Sequence, residues 1–247
     1  MRNELLLLAS IVVLYGGILF CYRFFGKSGL YAYTAATTIL ANIEVMILVQ
    51  AFGMEQTLGN VLFATSFVVT DILSENEGKK EADRAVFAGI SISVLFLLVT
   101  QSWRLFVPAA SDTAWAHLDA LFVRTPRMLA ASLGVYIIVQ YLDVFLYHTI
   151  WRASTKKTND SRRFLWLRNN LATILSQLVN AVLYTVFAFY GTYEFSTLCS
   201  IAASSFLIFV VTALLDTPVV YLSRVIYRRH WAKAGVTAPA ADETAKP

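Results

Sequence analysis

A polytopic bundle of transmembrane α-helices is the fold class this sequence predicts, and three observations predict it. The composition is 57% hydrophobic and only 15% charged, far from the balance of a water-soluble globule. The apolar residues fall into several stretches of about 20, the length that crosses about 30 Å of hydrocarbon. Once those stretches are threaded through a bilayer, sixteen of the twenty Lys and Arg residues lie on one side, the asymmetry that marks cytoplasmic loops.

Seven spans are expected, at residues 5–25, 31–52, 58–73, 86–106, 125–148, 169–190 and 196–223. The third is short and follows the break Phe52-Gly53-Met54-Glu55, so it reads as a full crossing or as a re-entrant segment held inside protein. With the N-terminus outside, the inner face collects Arg23, Lys27, Lys79, Lys80, Arg84, the basic residues from Arg152 to Arg168, and those from Arg224 onward. The outer face keeps Arg2, Arg104, Arg124 and Arg127. A six-span chain would split the basic loops between faces. Arg2 ahead of an apolar run imitates a signal peptide, but Cys21-Tyr22-Arg23-Phe24-Phe25 offers no small-residue cleavage site. Residues 1–231 are expected to form a single transmembrane domain, with a disordered tail over 232–247 rich in Ala, Thr and Pro. The location that follows is the cell inner membrane, crossed several times.

The same features narrow the chemistry. The net charge of +4 records topology rather than a nucleic-acid partner. Cys21 and Cys199 lie on different spans near opposite faces, so they read as packing residues and not as a disulfide. With no CxxC pair or Cys/His cluster, no metal or other cofactor is expected. Motifs of the GxxxxGK[ST], HExxH and GxSxG kinds are missing, and His117, His148 and His230 are scattered, so the chain is not expected to be an enzyme.

Ionisable and amide side chains are costly in hydrocarbon and face the bundle interior or a wet cavity. Asn42, Glu44 and Gln50 fall on the second span, Asp71 ends the third, and Asp216 lies on the seventh. Gln140 and Asp143 on the fifth span, and Gln177 and Asn180 on the sixth, are each three residues apart and so share a helix face. Arg168, Asn169 and Asn170 open the sixth span, where amides and free backbone N–H groups serve either a cap or a ligand. Any one of these could be a helix-to-helix hydrogen bond; together they exceed what assembly needs. Asp71 and Glu75 belong to a string, Thr70 to Lys80, that is either a helix end with a glycine stop or an inner mouth. Trp103, Trp151 and Trp231 read as interfacial belt residues. Tyr136, Tyr141 and Tyr147 are packing residues or stack on a planar ligand. Ala130 and Gly134 are spaced for a close helix contact.

These polar strings resemble the queuosine precursor transporter branch of the vitamin uptake transporter family. The resembling blocks are Ala41-Asn42-Ile43, the Thr70 to Lys80 string, Arg127 to Leu133, Gln140-Tyr141-Leu142-Asp143-Val144, His148, and Leu165 to Asn170 with Ser176-Gln177. They cover most of residues 40–225, and the Gln-Tyr-Leu-Asp-Val and Leu-Arg-Asn-Asn strings are specific. Asn180 departs from the acid, and Glu77 from the aromatic residue, common in the family. The resemblance implies uptake of 7-deazaguanine precursors of queuosine by a core of six helices plus one N-terminal span, similar to the binding components of energy-coupling-factor transporters. The substrate-binding set is then Asn42, Glu44, Gln140, Asp143, Asn170, Gln177 and Asn180, with Asp71, Glu75 and Arg168 gating the inner mouth. The expected partners are a small heteroaromatic solute and lipid. A homodimer, or an ATPase module for a chain that only binds, stays open beside a transporter acting alone.

Overall fold

The computed structural model of the chain describes residues 2–123, 126–158, 160, 164–191 and 193–232. Its first helix, α1 (Arg2–Glu44), is two antiparallel arms, residues 2–25 and 27–44, joined at Gly26 with φ 59° and ψ −145°. Glycine reaches that backbone region without steric cost. Side chains confirm the reversal: the Tyr33 hydroxyl donates to the Leu14 carbonyl at 2.8 Å, and Asn3 and Glu4 reach the backbone of Gln50 and Phe52 beyond the far end of the helix. The Trp231 indole covers Gly26 and donates to the Tyr22 carbonyl at 3.1 Å.

The second arm ends at Glu44, short of the expected residue 52. Strands β1 (Leu48–Ala51) and β2 (Met54–Thr57) pair antiparallel at the outer rim. They turn at Phe52 and Gly53, whose φ values of 54° and 74° are both positive, as the favoured two-residue hairpin turn demands. The break at Phe52-Gly53 is thus a hairpin tip, and Gln50 sits exposed on a strand rather than on a span.

Helix α2 (Gly59–Asn76) is the axis of the bundle. Its 18 residues rise about 27 Å, close to the hydrocarbon thickness. It packs on α1, α3 (Lys79–Trp103), α5 (Pro126–Thr158) and α7 (Phe195–Ile226). Nearly every α2 residue is buried, including Thr65, Ser66, Thr70, Asp71, Ser74 and Glu75. Protein rather than lipid surrounds it, which is why its hydropathy signal is weak although it has the length of a crossing. Its lower end is fixed to the inner face, where the Tyr22 hydroxyl donates to Glu77 at 3.1 Å and Lys27 pairs with Glu81 at 3.3 Å. In that turn, outside the spans, burial raises the Glu77 carboxyl above its ordinary range.

Helix α6 (Leu165–Phe189) lies between α5 and α7, and a π-helical turn, Tyr227–Trp231, follows α7. With α1 counted as two arms, seven segments of membrane length result, and α1, α3, α5, α6 and α7 are long and apolar enough to cross. A short helix that the sequence did not suggest, α4 (Trp115–Val123), lies in the outer loop. Arg104 holds it through Asp119 at 2.8 Å, and Phe122 meets Trp103 edge to face.

Two packing expectations are corrected. Trp151 is buried and Trp231 half-buried, each engaged by protein rather than standing in an interfacial belt. A Cβ on Gly134 would meet nothing within 4 Å, so the Ala130–Gly134 spacing makes no close helix approach. Residues 233–247, the greater part of the expected tail, lie outside the described residues.

A side chain at Gly26 meets both a forbidden backbone region and the Trp231 ring. Gly26→Ala is expected to cost about 1–3 kcal/mol in thermal melts of the detergent-solubilised chain. Gly16→Ala, where a Cβ meets nothing within 4 Å, should stay within about 0.5 kcal/mol. Equal losses at the two sites would contradict a tight reversal at Gly26.

Candidate functional site

The outer half of the bundle encloses a cavity of about 510 Å³, inside the usual 300–1,000 Å³ range of ligand pockets. Phe63 of α2, Tyr136 of α5, Tyr184 of α6 and Phe209 of α7 wall it with aromatic rings. The Phe63 centroid lies 5.8 Å from that of Tyr136 and 6.4 Å from that of Phe209. Polar groups punctuate the wall: Asn42 on the second arm of α1, Asn60 and Ser66 on α2, Ser93 on α3 and Asn180 on α6. The hairpin, through Gln56 and Thr57, and α4, through Ala120 and Leu121, form its rim. Asn42 spends its amide N–H on its own helix, donating to the Thr38 carbonyl at 2.9 Å, and reaches Ser93 at 3.4 Å.

Two contacts carry polarity from the cavity floor into the bundle. Gln140 donates to Ser66, and Asn180 donates to Gln177 at 2.8 Å. Beneath them lies a layer of carboxyl groups, each at most 1% exposed: Asp71, Asp143 and Asp216. Ser176 donates to Asp143 at 2.8 Å, Thr173 to Asp71 at 3.3 Å, and the Tyr15 hydroxyl of α1 to Asp216. Among the described residues, the second oxygen of each carboxyl has no hydrogen-bond partner; nor do Gln140 Oε1 and both amide atoms of Asn169. Buried polar atoms are nearly always satisfied in proteins. Several unsatisfied ones in a single intramembrane layer mark it as more than a packing seam.

One turn further in, Glu75 closes the inner face. Its carboxylate takes two nitrogens of Arg168 at 2.6–3.0 Å, Arg224 at 2.6 Å and the Tyr147 hydroxyl at 2.7 Å. The Arg168 guanidinium, fully buried, stacks 4.4 Å from the Trp151 ring centroid. Arginine suits this place because its planar fork binds a carboxylate with two nitrogens while its face lies on an aromatic ring.

The residues expected at the site therefore separate by depth. Asn42 and Asn180 line the cavity; Gln140, Asp143 and Gln177 lie just beneath it; Glu75 and Arg168 form the inner closure. Asp71 sits in the carboxyl layer rather than at the inner mouth. Glu44 is at the outer end of α1 and does not line the cavity, although its neighbours Val45 and Met46 do. Asn170 faces the α6–α7 seam, donating to the Trp166 carbonyl at 2.7 Å and to Thr217 at 2.6 Å. Among the tyrosines, Tyr136 lines the cavity, Tyr147 belongs to the inner closure, and Tyr141 is 40% exposed on the lipid side. Reading the sequence missed Phe63, Ser66, Tyr184, Tyr15 and Arg224. Of these, Tyr15 carried a signal, a phenol in mid-span able to satisfy an intramembrane acid.

Comparison with known proteins places these features in context. Residues 57–223 match the family described as "Putative vitamin uptake transporter". A curated relative, the "Probable queuosine precursor transporter" of Bacillus subtilis (strain 168), is 37% identical over 207 residues, which is 84% of this chain and 88% of the relative. Family and relative are both transporters rather than enzymes. No solved structure matches. The carboxyl layer, Glu75 and Arg168 fall within the matched region, while Tyr15 and Asn42 precede it and Arg224 follows it.

Removing one partner of a buried ion pair strands the other charge. Arg168→Ala is therefore expected to destabilise the fold by about 3–5 kcal/mol. Arg224→Ala, whose side chain is 16% exposed, should cost about 1 kcal/mol. Thermal melts in one detergent check the order; equal costs would mean that Glu75 is reached by water.

Proposed function

The chain belongs to the vitamin uptake transporter family, and on that premise we propose that it imports 7-deazaguanine precursors of queuosine across the inner membrane. Candidates are 7-cyano-7-deazaguanine and 7-aminomethyl-7-deazaguanine. The printed name of the 37% identical relative supports this substrate class. So does the chemistry of the cavity. A deazaguanine is a flat ring with a donor edge, N1–H and the 2-amino group, beside an acceptor oxygen. Aromatic walls suit its faces, and amides and carboxylates suit its edge.

The observation that carries the reading is the floor of the cavity, where Ser66–Gln140 and Asn180–Gln177 join the open space to buried acids. The solute first meets Asn42, Ser66 and Asn180 from outside. When those two floor contacts part, Gln140, Gln177 and Asp143 take its donor and acceptor groups at mid-depth. Opening of the Glu75–Arg168–Arg224 closure then exposes the solute to the inside, an alternating-access cycle about one site. Glu44 and Asn170 have no part in it. The chain completes this cycle without a nucleotide-hydrolysing module.

Uptake of labelled deazaguanines into cells unable to make them tests the assignment. Wild type should restore uptake. Asp143→Asn and Gln177→Ala, at equal membrane abundance, should lower it about tenfold or more, since a misplaced partner in a dry site costs about 1–3 kcal/mol. Undiminished uptake in both variants would remove the site assignment, and no uptake by wild type would remove the substrate class.

A further inference from the structure

We propose that the layer formed by Asp71 of α2, Asp143 of α5 and Asp216 of α7 is a proton-binding site, and that the bound proton travels inward with the solute. The proposal rests on the transporter reading for its second half only. Its first half follows from the layer itself.

Three acids from three helices lie where water does not reach, each at most 1% exposed. Asp71 and Asp143 are tied to one face of α6, accepting from Thr173 and Ser176, which stand three residues apart. The groups facing them from the surrounding elements are neutral: Thr173 and Ser176 of α6, and Tyr15 of α1. On α2 itself the next charged group is Glu75, whose partners are Arg168 and Arg224. None of the three acids has an ion-pair partner among the described residues. Several like charges without counter-ions in such a place are strongly unfavourable. A proton is the smallest ligand that removes the charge, and each carboxyl keeps one oxygen with no partner to receive it.

A second, independent feature lies on the same face of α6. Asn169 is fully buried, and neither its amide nitrogen nor its oxygen has a partner. It precedes Thr173 by four residues and Ser176 by seven, so it shares the α6 stripe that supplies the donors to Asp71 and Asp143. A carboxylic acid O–H can donate to the Asn169 oxygen, and its N–H can donate to a carboxylate. Metal is a poorer fit: among the described residues no three carboxyl, imidazole or thiol groups converge as metal ligands would. A proton needs only one oxygen and one acceptor.

The route follows from depth. Ser66 lines the outer cavity, and its partner Gln140, fully buried behind it, keeps an Oε1 with no partner among the described residues, so the step from cavity to layer passes these two groups. A hydronium ion there gives up its proton to a carboxylate of the layer, leaving water. On the inner side the carboxylic O–H bond breaks to water once the Glu75 closure parts, restoring the carboxylate.

Two measurements on the reconstituted full-length chain test this. Infrared spectra at neutral pH should contain a protonated-carboxyl C=O band that weakens in Asp71→Asn and in Asp216→Asn. No such band in wild type, or a band indifferent to both substitutions, would overturn the proposal, whatever the solute. In proteoliposomes, one pH unit, acid outside, should drive accumulation of labelled deazaguanine by up to about tenfold for one proton per solute. Asp216→Asn should lose that accumulation toward unity while still exchanging label at equal pH. Accumulation driven by a sodium gradient instead, or indifferent to the pH gradient in wild type, would overturn the coupling. Failure of wild type to exchange the label at equal pH would count against the substrate class alone, and the infrared result would still decide proton binding.

Discussion

Three carboxyl groups held away from water without a cation beside them constrain everything else in this structure. In a bilayer such groups must face protein, and they do so because α2 is wrapped on several sides by helices that take the lipid contact for it. The exposed faces of α3, α5, α6 and α7 carry leucine, valine and phenylalanine, while α2 carries threonine, serine, aspartate and glutamate. The polar axis and its apolar jacket are one arrangement. Removing the jacket would leave the acids in lipid, and removing the acids would leave α2 no reason to be polar.

Polarity is graded along that axis. The outer end is open, aromatic and neutral. The middle is a dry layer of carboxyls and amides with unused hydrogen-bonding capacity. The inner end is closed by Glu75 with two arginines, a tyrosine hydroxyl and a tryptophan face. In the proposed import, a solute entering from outside would meet stacking surfaces first, specific hydrogen-bonding groups next and an ionic closure last. A buried ion pair is an uncertain source of stability because desolvation offsets attraction. In the proposed cycle this ion pair marks the state closed to the inside.

Much of this was available in the sequence. Length and apolarity located most of the long helices, and the placement of lysine and arginine supplies an expected orientation, because both depend on lipid as solvent rather than on tertiary detail. The i, i+3 spacing of Gln140 with Asp143, and of Gln177 with Asn180, put each pair on an inward face. Depth was harder to read. Whether Asn170 or Asn180 meets the cavity depends on how α6 rotates against α5 and α7, and Asn170 turned toward Thr217 instead. The end of α1 at Glu44 was hidden because Leu48 to Ala51 is as apolar as a span, and only the positive φ values at Phe52 and Gly53 reveal a hairpin. Trp151 looked interfacial from its position alone. Its burial follows from Arg168, whose need for an aromatic face no local pattern announces.

The central claim is that the outer cavity leads to the carboxyl layer and that the solute occupies the floor between them. Labelling of Ser66→Cys, in a chain whose Cys21 and Cys199 are replaced by serine, by a membrane-impermeant thiol reagent added outside tests it most directly. The account predicts ready labelling from outside that slows when 7-cyano-7-deazaguanine is present. Labelling from the inner side alone, or a rate indifferent to the solute, would contradict it.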